Sequence, residues 1–256
     1  MVYSRLLTRL GAQDEPMTYA HPEIIISPEE LKALLEAKKP DLRLLDVRPP
    51  RLYYRGHIPG ALRVWRPDIE AQEHFLPEMM ASRAQVEKLL SRLGVASNHT
   101  LVIYSEKYYH TRLWWLLAYY GFPLERLKLL NGGIGAWKAR GYPLKILPPW
   151  PRKTDFRLPD KPNLQEPLCC TLPEVKEALA DPRKVVLDVR SPGEYLGEEQ
   201  LRHAASPGRI PGVTFIPWQE TLVQEGPNQG YFKSAREILD LFAARGVTPD
   251  KHVYIY

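Results

Sequence analysis

Leu44-Leu45-Asp46-Val47-Arg48, followed by His57-Ile58-Pro59-Gly60-Ala61, returns as Val186-Leu187-Asp188-Val189-Arg190, followed by Arg209-Ile210-Pro211-Gly212-Val213. A repeat on this scale means that one supersecondary arrangement is used twice. Each copy begins with a short apolar run of the length and composition that suit a buried strand, and each run ends in Asp-Val-Arg. In the first copy a further strand, Leu101-Val102-Ile103-Tyr104, leads into a loop and a long aromatic helix. In the second copy the matching strand, Val253-Tyr254-Ile255-Tyr256, is the last stretch of the sequence. Ligands and reacting groups of open parallel sheets sit beyond the carboxyl ends of strands. The expected place of the active site is therefore directly after Tyr256, outside this chain.

Around the first copy, strands and helices alternate. Ile24-Ile25-Ile26 reads as a strand, followed by Ser27 as N-cap, Pro28 at the first helical position and Glu30 three residues after the cap. Leu31, Leu34 and Leu35 share a helical face. Residues 43–47 read as a strand ended by Pro49-Pro50, 83–93 as a helix closed by Gly94, and 100–104 as a strand. Residues 111–120 form a helix closed by Gly121, 128–130 a strand, and 135–140 a helix before Gly141. This alternation implies a parallel sheet covered on both faces. Between Leu147 and Pro167 the chain carries Pro148-Pro149, Pro151, Pro159, Pro162 and Pro167, the pattern of an extended, semi-rigid linker. Helix 171–180, strand 184–189, helix 234–245 and strand 252–256 then repeat the earlier order.

Composition sets the bounds. Across 256 residues, 35 basic side chains stand against 30 acidic ones, scattered along the chain, for a net charge of +5. That is a mildly basic surface and no nucleic-acid footprint. No apolar run is long enough for a signal peptide or a membrane span, so a cytoplasmic protein is expected, with no membrane partner. Met17 offers a second translation start beside Met1. The two cysteines, Cys169-Cys170, are adjacent, which suits neither ordinary disulfide geometry nor a metal site, and they read as small buried hydrophobes in a short opening strand. No metal or cofactor motif is present. Trp114, Trp115 and Trp137 are expected in the core.

These motifs resemble the tandem rhodanese family, the thiosulfate sulfurtransferases. The resemblance rests on Leu45-Asp46-Val47-Arg48 with Gly56-His57-Ile58-Pro59-Gly60-Ala61, on Asn131-Gly132-Gly133 with Ala136-Trp137 and Gly141-Tyr142-Pro143, and on Leu187-Asp188-Val189-Arg190-Ser191-Pro192-Gly193-Glu194-Tyr195 with Ile210-Pro211-Gly212 and Pro217-Trp218. It implies an α/β fold of two rhodanese-like domains, each a parallel sheet with helices on both faces, the second incomplete at its C-terminus. The implied division is an N-terminal extension at 1–20, a non-catalytic domain at 21–147, the proline-rich linker at 148–166 and a catalytic-type domain at 167–256. The implied chemistry moves sulfane sulfur from a small anionic donor, thiosulfate, through an enzyme persulfide to a thiophilic acceptor such as cyanide or a thiol. A monomer without cofactor suffices.

By the same resemblance, the nucleophile is a cysteine immediately after Tyr256, and the chain as given is expected to be inactive. Ser105 holds the corresponding position in the first copy, with no evident base beside it, and reads as a turn residue. Tyr108 and Tyr109 are expected to line the substrate pocket. Asp188, Arg190 and Trp218 are expected to order the active loop from beneath. Glu194 stands where some members carry an arginine that binds the dianionic donor, and Arg209 replaces the histidine seen at His57. A mercaptopyruvate sulfurtransferase and a non-catalytic binding module are the alternatives, separated by the residues of the loop beyond Tyr256; a phosphatase of related fold fits the tandem motifs less well. By the first copy, about forty residues should follow Tyr256. A fragment, a shortened expression product, a degenerate gene or a selenocysteine codon read as stop would each give such an end.

Overall fold

Ser27 starts the first long helix as its neighbours require: its hydroxyl accepts the Glu30 amide, the Glu30 carboxylate accepts the Ser27 amide, and Pro28 fills the first helical position. The structure is a computed structural model describing residues 18–72, 79–106, 108–160, 169–200 and 206–256. The expected extension up to residue 17, the alternative start at Met17 and the last part of the expected linker lie outside the described residues. The described residues fall into two compact units, one within Glu23–Gln165 together with Pro227–Tyr231, the other within Glu166–Gly226 together with Phe232–Tyr256.

The first unit runs β1 (Ile25–Ile26), α1 (Pro28–Glu36), β2 (Leu42–Asp46), α2 (Pro50–Tyr53), β3 (Ala61–Arg63), α3 (Arg83–Arg92), β4 (Thr100–Tyr104), α4 (Tyr109–Tyr119), β5 (Leu127–Leu130) and α5 (Gly133–Ala139). Its five strands form one parallel sheet in the order β1-β5-β4-β2-β3. The central strand β4 is apolar almost throughout because helices cover both faces of the sheet. Ile26, Leu31, Leu44, Val102, Tyr104, Leu130, Ile134 and Trp137 pack as one cluster of its core.

The second unit runs α6 (Leu172–Ala178), β6 (Lys184–Asp188), α7 (Pro192–Leu196), β7 (Thr214–Phe215), α8 (Ala235–Ala243) and β8 (His252–Ile255). Its sheet is parallel, in the order β7-β6-β8. Strand β6 lies between β7 and β8 as β2 lies between β3 and β4, so the repeat in sequence is a repeat in topology. Val185, Leu187, Ile216, Phe242 and Val247 form its core. Ile255 in β8 is 45% exposed, whereas Ile103 in β4 is fully buried.

Several local expectations are corrected. Pro49-Pro50 does not simply end a strand: Pro49 precedes and Pro50 opens α2, where the missing amide proton of the first helical residue costs nothing. Cys169 and Cys170 lie in no strand and both are exposed. Trp137 is buried, but Trp114 and Trp115 are only half-buried; the Trp114 indole donates to the Leu127 carbonyl at 3.0 Å, and Trp115 stacks on Tyr119. Part of the proline-rich stretch belongs to the first unit. Phe156 and Leu158 are buried there, Phe156 stacks on Phe122, and the Thr154 amide donates to Ser91 at the end of α3.

Candidate active site

Each unit ties down the carboxyl end of its inner strands with one three-residue clamp. In the second unit Asp188, the last residue of β6, is fully buried. Arg190 donates from Nε to Asp188 Oδ1 at 3.1 Å and from Nη2 to Oδ2 at 2.7 Å, and its backbone amide donates to Oδ1 at 3.0 Å. The same Nη2 reaches the Gly208 carbonyl at 2.9 Å, fastening the loop that carries Arg209-Ile210-Pro211-Gly212. The Tyr256 hydroxyl accepts the Ile210 amide at 3.3 Å and bonds to Asp188, while the Arg190 guanidinium lies 5.2 Å from the Tyr256 ring centroid. The Tyr256 backbone is held from both directions, its amide donating to Leu187 and its carbonyl accepting from Val189.

The first unit repeats this bond for bond. Arg48 Nε and Nη2 donate to Asp46 at 2.8 and 2.6 Å, and Nη2 to the Gly56 carbonyl at 2.8 Å. Tyr104 Oη donates to Asp46 at 2.7 Å and accepts the Ile58 amide at 3.1 Å. The Val47 amide donates to the Tyr104 carbonyl. Tyr104 and Tyr256 are thus equivalent, and the position after Tyr256 is equivalent to Ser105. In both copies the clamp favours one protonation state. Hydrogen bonding to Asp188 holds the Arg190 guanidinium above its ordinary value. Burial, then the Asp46 charge, pushes the Tyr104 hydroxyl well up, and burial raises that of Tyr256, so both phenols stay protonated.

Beyond β4, Ser105 is fully buried, and its Oγ stands 2.8 Å from His110 Nδ1. This corrects the expectation that no base lies beside Ser105. The imidazole comes from the first turn of α4 and was missed because only the turn between β4 and α4 brings it back; the spacing of Ser105 and His110 is the one signal in the sequence. The Ser105 carbonyl accepts the Ile134 amide at 3.0 Å. A Cβ at Gly133, where φ is +55°, would stand 2.1 Å from that carbonyl oxygen, so only glycine fits. Tyr108 and Tyr109 lie on this loop with ring centroids 5.0 Å apart, Tyr108 being 39% exposed and Tyr109 half-buried. Glu106 lies 3.8 Å from Arg48 and 3.7 Å from Lys138.

The structure brings Asp188, Arg190 and Trp218 together, since the Trp218 amide donates to the Val189 carbonyl at 3.0 Å. Glu194 caps α7, its carboxylate accepting the Ser191 amide at 3.1 Å. Ser105, Tyr108 and Tyr109 form a separate group in the first unit.

A rhodanese-like domain profile matches residues 27–140. The chain is 32% identical over 258 residues to a sulfur carrier protein, TtuD, of Thermus thermophilus, covering 94% of this chain and 84% of the relative. It is 30% identical to a thiosulfate sulfurtransferase of Azotobacter vinelandii, covering 92% of this chain and 82% of the relative. Among solved structures it resembles a 3-mercaptopyruvate sulfotransferase, SseA of Escherichia coli, with TM-score 0.75 and 23% identity over 91% of this chain and 87% of the other. YnjE matches with TM-score 0.76 and 21% identity over 92% of this chain and 59% of the other.

Proposed function

The chain belongs to the rhodanese-like family, and we propose from that premise that it carries a sulfurtransferase in which the residue directly after Tyr256 is the nucleophile. The observation that carries the reading is the duplicated clamp. The Asp188–Arg190–Tyr256 set matches Asp46–Arg48–Tyr104, so the position following Tyr256 leaves the sheet at its carboxyl edge, where parallel sheets present reacting groups. The tandem arrangement belongs to the proposal: a non-catalytic first domain at 21–147, a linker at 148–166 and a catalytic-type domain at 167–256.

In the proposed reaction a thiolate after Tyr256 attacks the outer sulfur of thiosulfate. The sulfur–sulfur bond breaks, sulfite leaves with the electron pair, and the enzyme holds a persulfide. A thiophilic acceptor then attacks the outer persulfide sulfur and restores the thiolate. Arg190 and Tyr256 are positioning residues here: they hold the strand end and the Gly208–Ile210 loop without entering the reaction. Thiosulfate as donor is supported by the naming of the Azotobacter relative and by Glu194 spending its carboxylate on its own helix. A selenocysteine at the nucleophile position would serve the same step, since a selenol is ionised at neutral pH. The protein is taken to be a cytoplasmic monomer; among the described residues no helix is long and apolar enough to cross a membrane.

The test is to read the gene through the codon after Tyr256, express the product to its natural end and charge it with thiosulfate or with mercaptopyruvate. Cysteine or selenocysteine at that codon, a mass gain of one sulfur atom and loss of the gain on substitution by serine are expected. A gain only with mercaptopyruvate replaces the donor. A loop with neither cysteine nor selenocysteine overturns the enzyme reading in favour of a binding module.

A further inference from the structure

Cys169 and Cys170 are the only two cysteines of the chain, they are adjacent, and both are exposed. A buried pair would be packing. An exposed pair presents two thiols to any small electrophile at once. They directly precede Thr171, whose amide is held by the Glu174 carboxylate at 2.6 Å at the start of α6, so the pair is displayed at the anchored end of a helix. We propose that Cys169 and Cys170 act as a vicinal dithiol that takes sulfane sulfur from a persulfide and releases it as sulfide.

The argument rests on what adjacency permits. Neighbouring Cα atoms are about 3.8 Å apart, closer than the roughly 4.4–6.8 Å of ordinary disulfides. A disulfide between the two closes a strained eight-membered ring, and strained, exposed disulfides are the readily reduced ones. The pair therefore suits reversible redox chemistry and not structural cross-linking. In the first step one cysteine thiolate attacks the outer sulfur of the incoming persulfide, that sulfur–sulfur bond breaks, and the donor leaves as its thiolate. In the second step the neighbouring thiolate attacks the inner sulfur of the new cysteine persulfide, and the outer sulfur departs as hydrosulfide. One persulfide and two cysteine thiols give one donor thiol, one hydrogen sulfide and one vicinal disulfide. The two thiols lose two electrons and the sulfane sulfur gains them, so no further oxidant or reductant enters this turnover. A small dithiol reduces the pair afterwards. A lone thiol would stop at the persulfide; the neighbour is what completes the release.

The inference rests on the sulfurtransferase reading only for the natural source of the persulfide, and the test avoids that source. The reduced chain is treated with glutathione persulfide, and hydrogen sulfide and intact protein mass are measured together, with Cys169→Ser, Cys170→Ser and the double variant alongside. The wild-type chain is expected to release one sulfide per chain and to lose the mass of two hydrogens. Each single variant is expected to gain the mass of one sulfur atom and to release no more sulfide than the double variant. Sulfide release by the double variant equal to wild type overturns the proposal. So does a wild-type chain that keeps the added sulfur, and so does a single variant that gains a glutathionyl group. Because the donor is supplied free, absence of a nucleophile after Tyr256 leaves these outcomes unchanged.

Discussion

Replacing Asp46 by Asn tests whether the clamp is an energetic element of the fold. Asp46 is fully buried and Arg48 is 2% exposed. Three short contacts join the two side chains, and Tyr104 adds a fourth bond to the carboxylate. The substitution leaves a buried guanidinium facing a neutral amide and the Gly56 carbonyl. Breaking a buried pair from one side costs about 3–5 kcal/mol, and the retained amide oxygen puts Asp46→Asn near the lower end, about 3 kcal/mol. Arg48→Met should cost a similar amount, since it strands the carboxylate. The double variant strands neither charge and loses mainly the bond to Gly56, about 1–2 kcal/mol. Urea unfolding of the chain and its three variants, followed on the transition of the first unit, gives the cycle. A coupling energy of at least about 2 kcal/mol is expected, and Asp46→Asn should lower Tm by about 10 °C. The matching Asp188→Asn should cost less, because the Arg190 side chain is 24% exposed and water replaces part of what it loses. An Asp46→Asn effect below about 1 kcal/mol, or a double variant as unstable as the sum of the singles, would refute the reasoning.

Gly133→Ala should destabilise the first unit by at least about 2 kcal/mol, because φ is +55° and the new carbon meets the Ser105 carbonyl; chemical denaturation checks it, and an unchanged midpoint contradicts the contact. Burial, then the nearby Arg43 charge, holds His99 below the ordinary imidazole value, and its Nδ1 accepts the Ala96 amide at 2.9 Å. The folded state therefore favours the neutral ring. Its contribution is fully present above about pH 6.5, the unfolded value, and is lost as pH falls through the folded value. Stability measured from pH 7 down to 5 should fall less steeply in His99→Gln than in the wild type, and parallel curves would remove His99 from the account. Ser105→Cys should not gain sulfur from thiosulfate, since the side chain at that position is fully buried; a mass increase on that cysteine would show that the loop opens.

The central strand and the helix starts were legible because local chemistry decides them. Thr100 to Tyr104 has nothing but apolar residues after its first position, and Ser-x-x-Glu at Ser27 and Ser234 fixes where α1 and α8 begin. The Asp-x-Arg pairs were legible as loop-ordering groups, since residues two apart at a strand end lie within reach of each other. The tyrosine of each clamp was not. Its hydroxyl acts across the sheet on the neighbouring strand's aspartate, so its part depends on the register that sets Asp46 opposite Tyr104. Phe156 and Leu158 were hidden by the surrounding prolines, which describe local backbone and say nothing of the surface it crosses. The cysteines were misread because burial is only the common habit of that side chain, and two residues beside a helix start have no sheet to join.

What differs between the two clamps bears on which unit can do chemistry. In the first, Arg48 is closed in, Ile103 is fully buried, and Ser105 turns inward to His110 while its carbonyl is held by Ile134, so the residue after the strand is used up in packing. In the second, the same bonds hold the strand end, but Arg190 is partly exposed and Ile255 is 45% exposed. A serine sealed beside an imidazole is well placed to order a loop and badly placed to meet an anion from solution. The clamp itself is neutral between these outcomes: it fixes where the next backbone amide points and leaves the chemistry to the residue that follows. The duplicated motif is thus a positioning device, and the catalytic assignment depends on the single position beyond Tyr256.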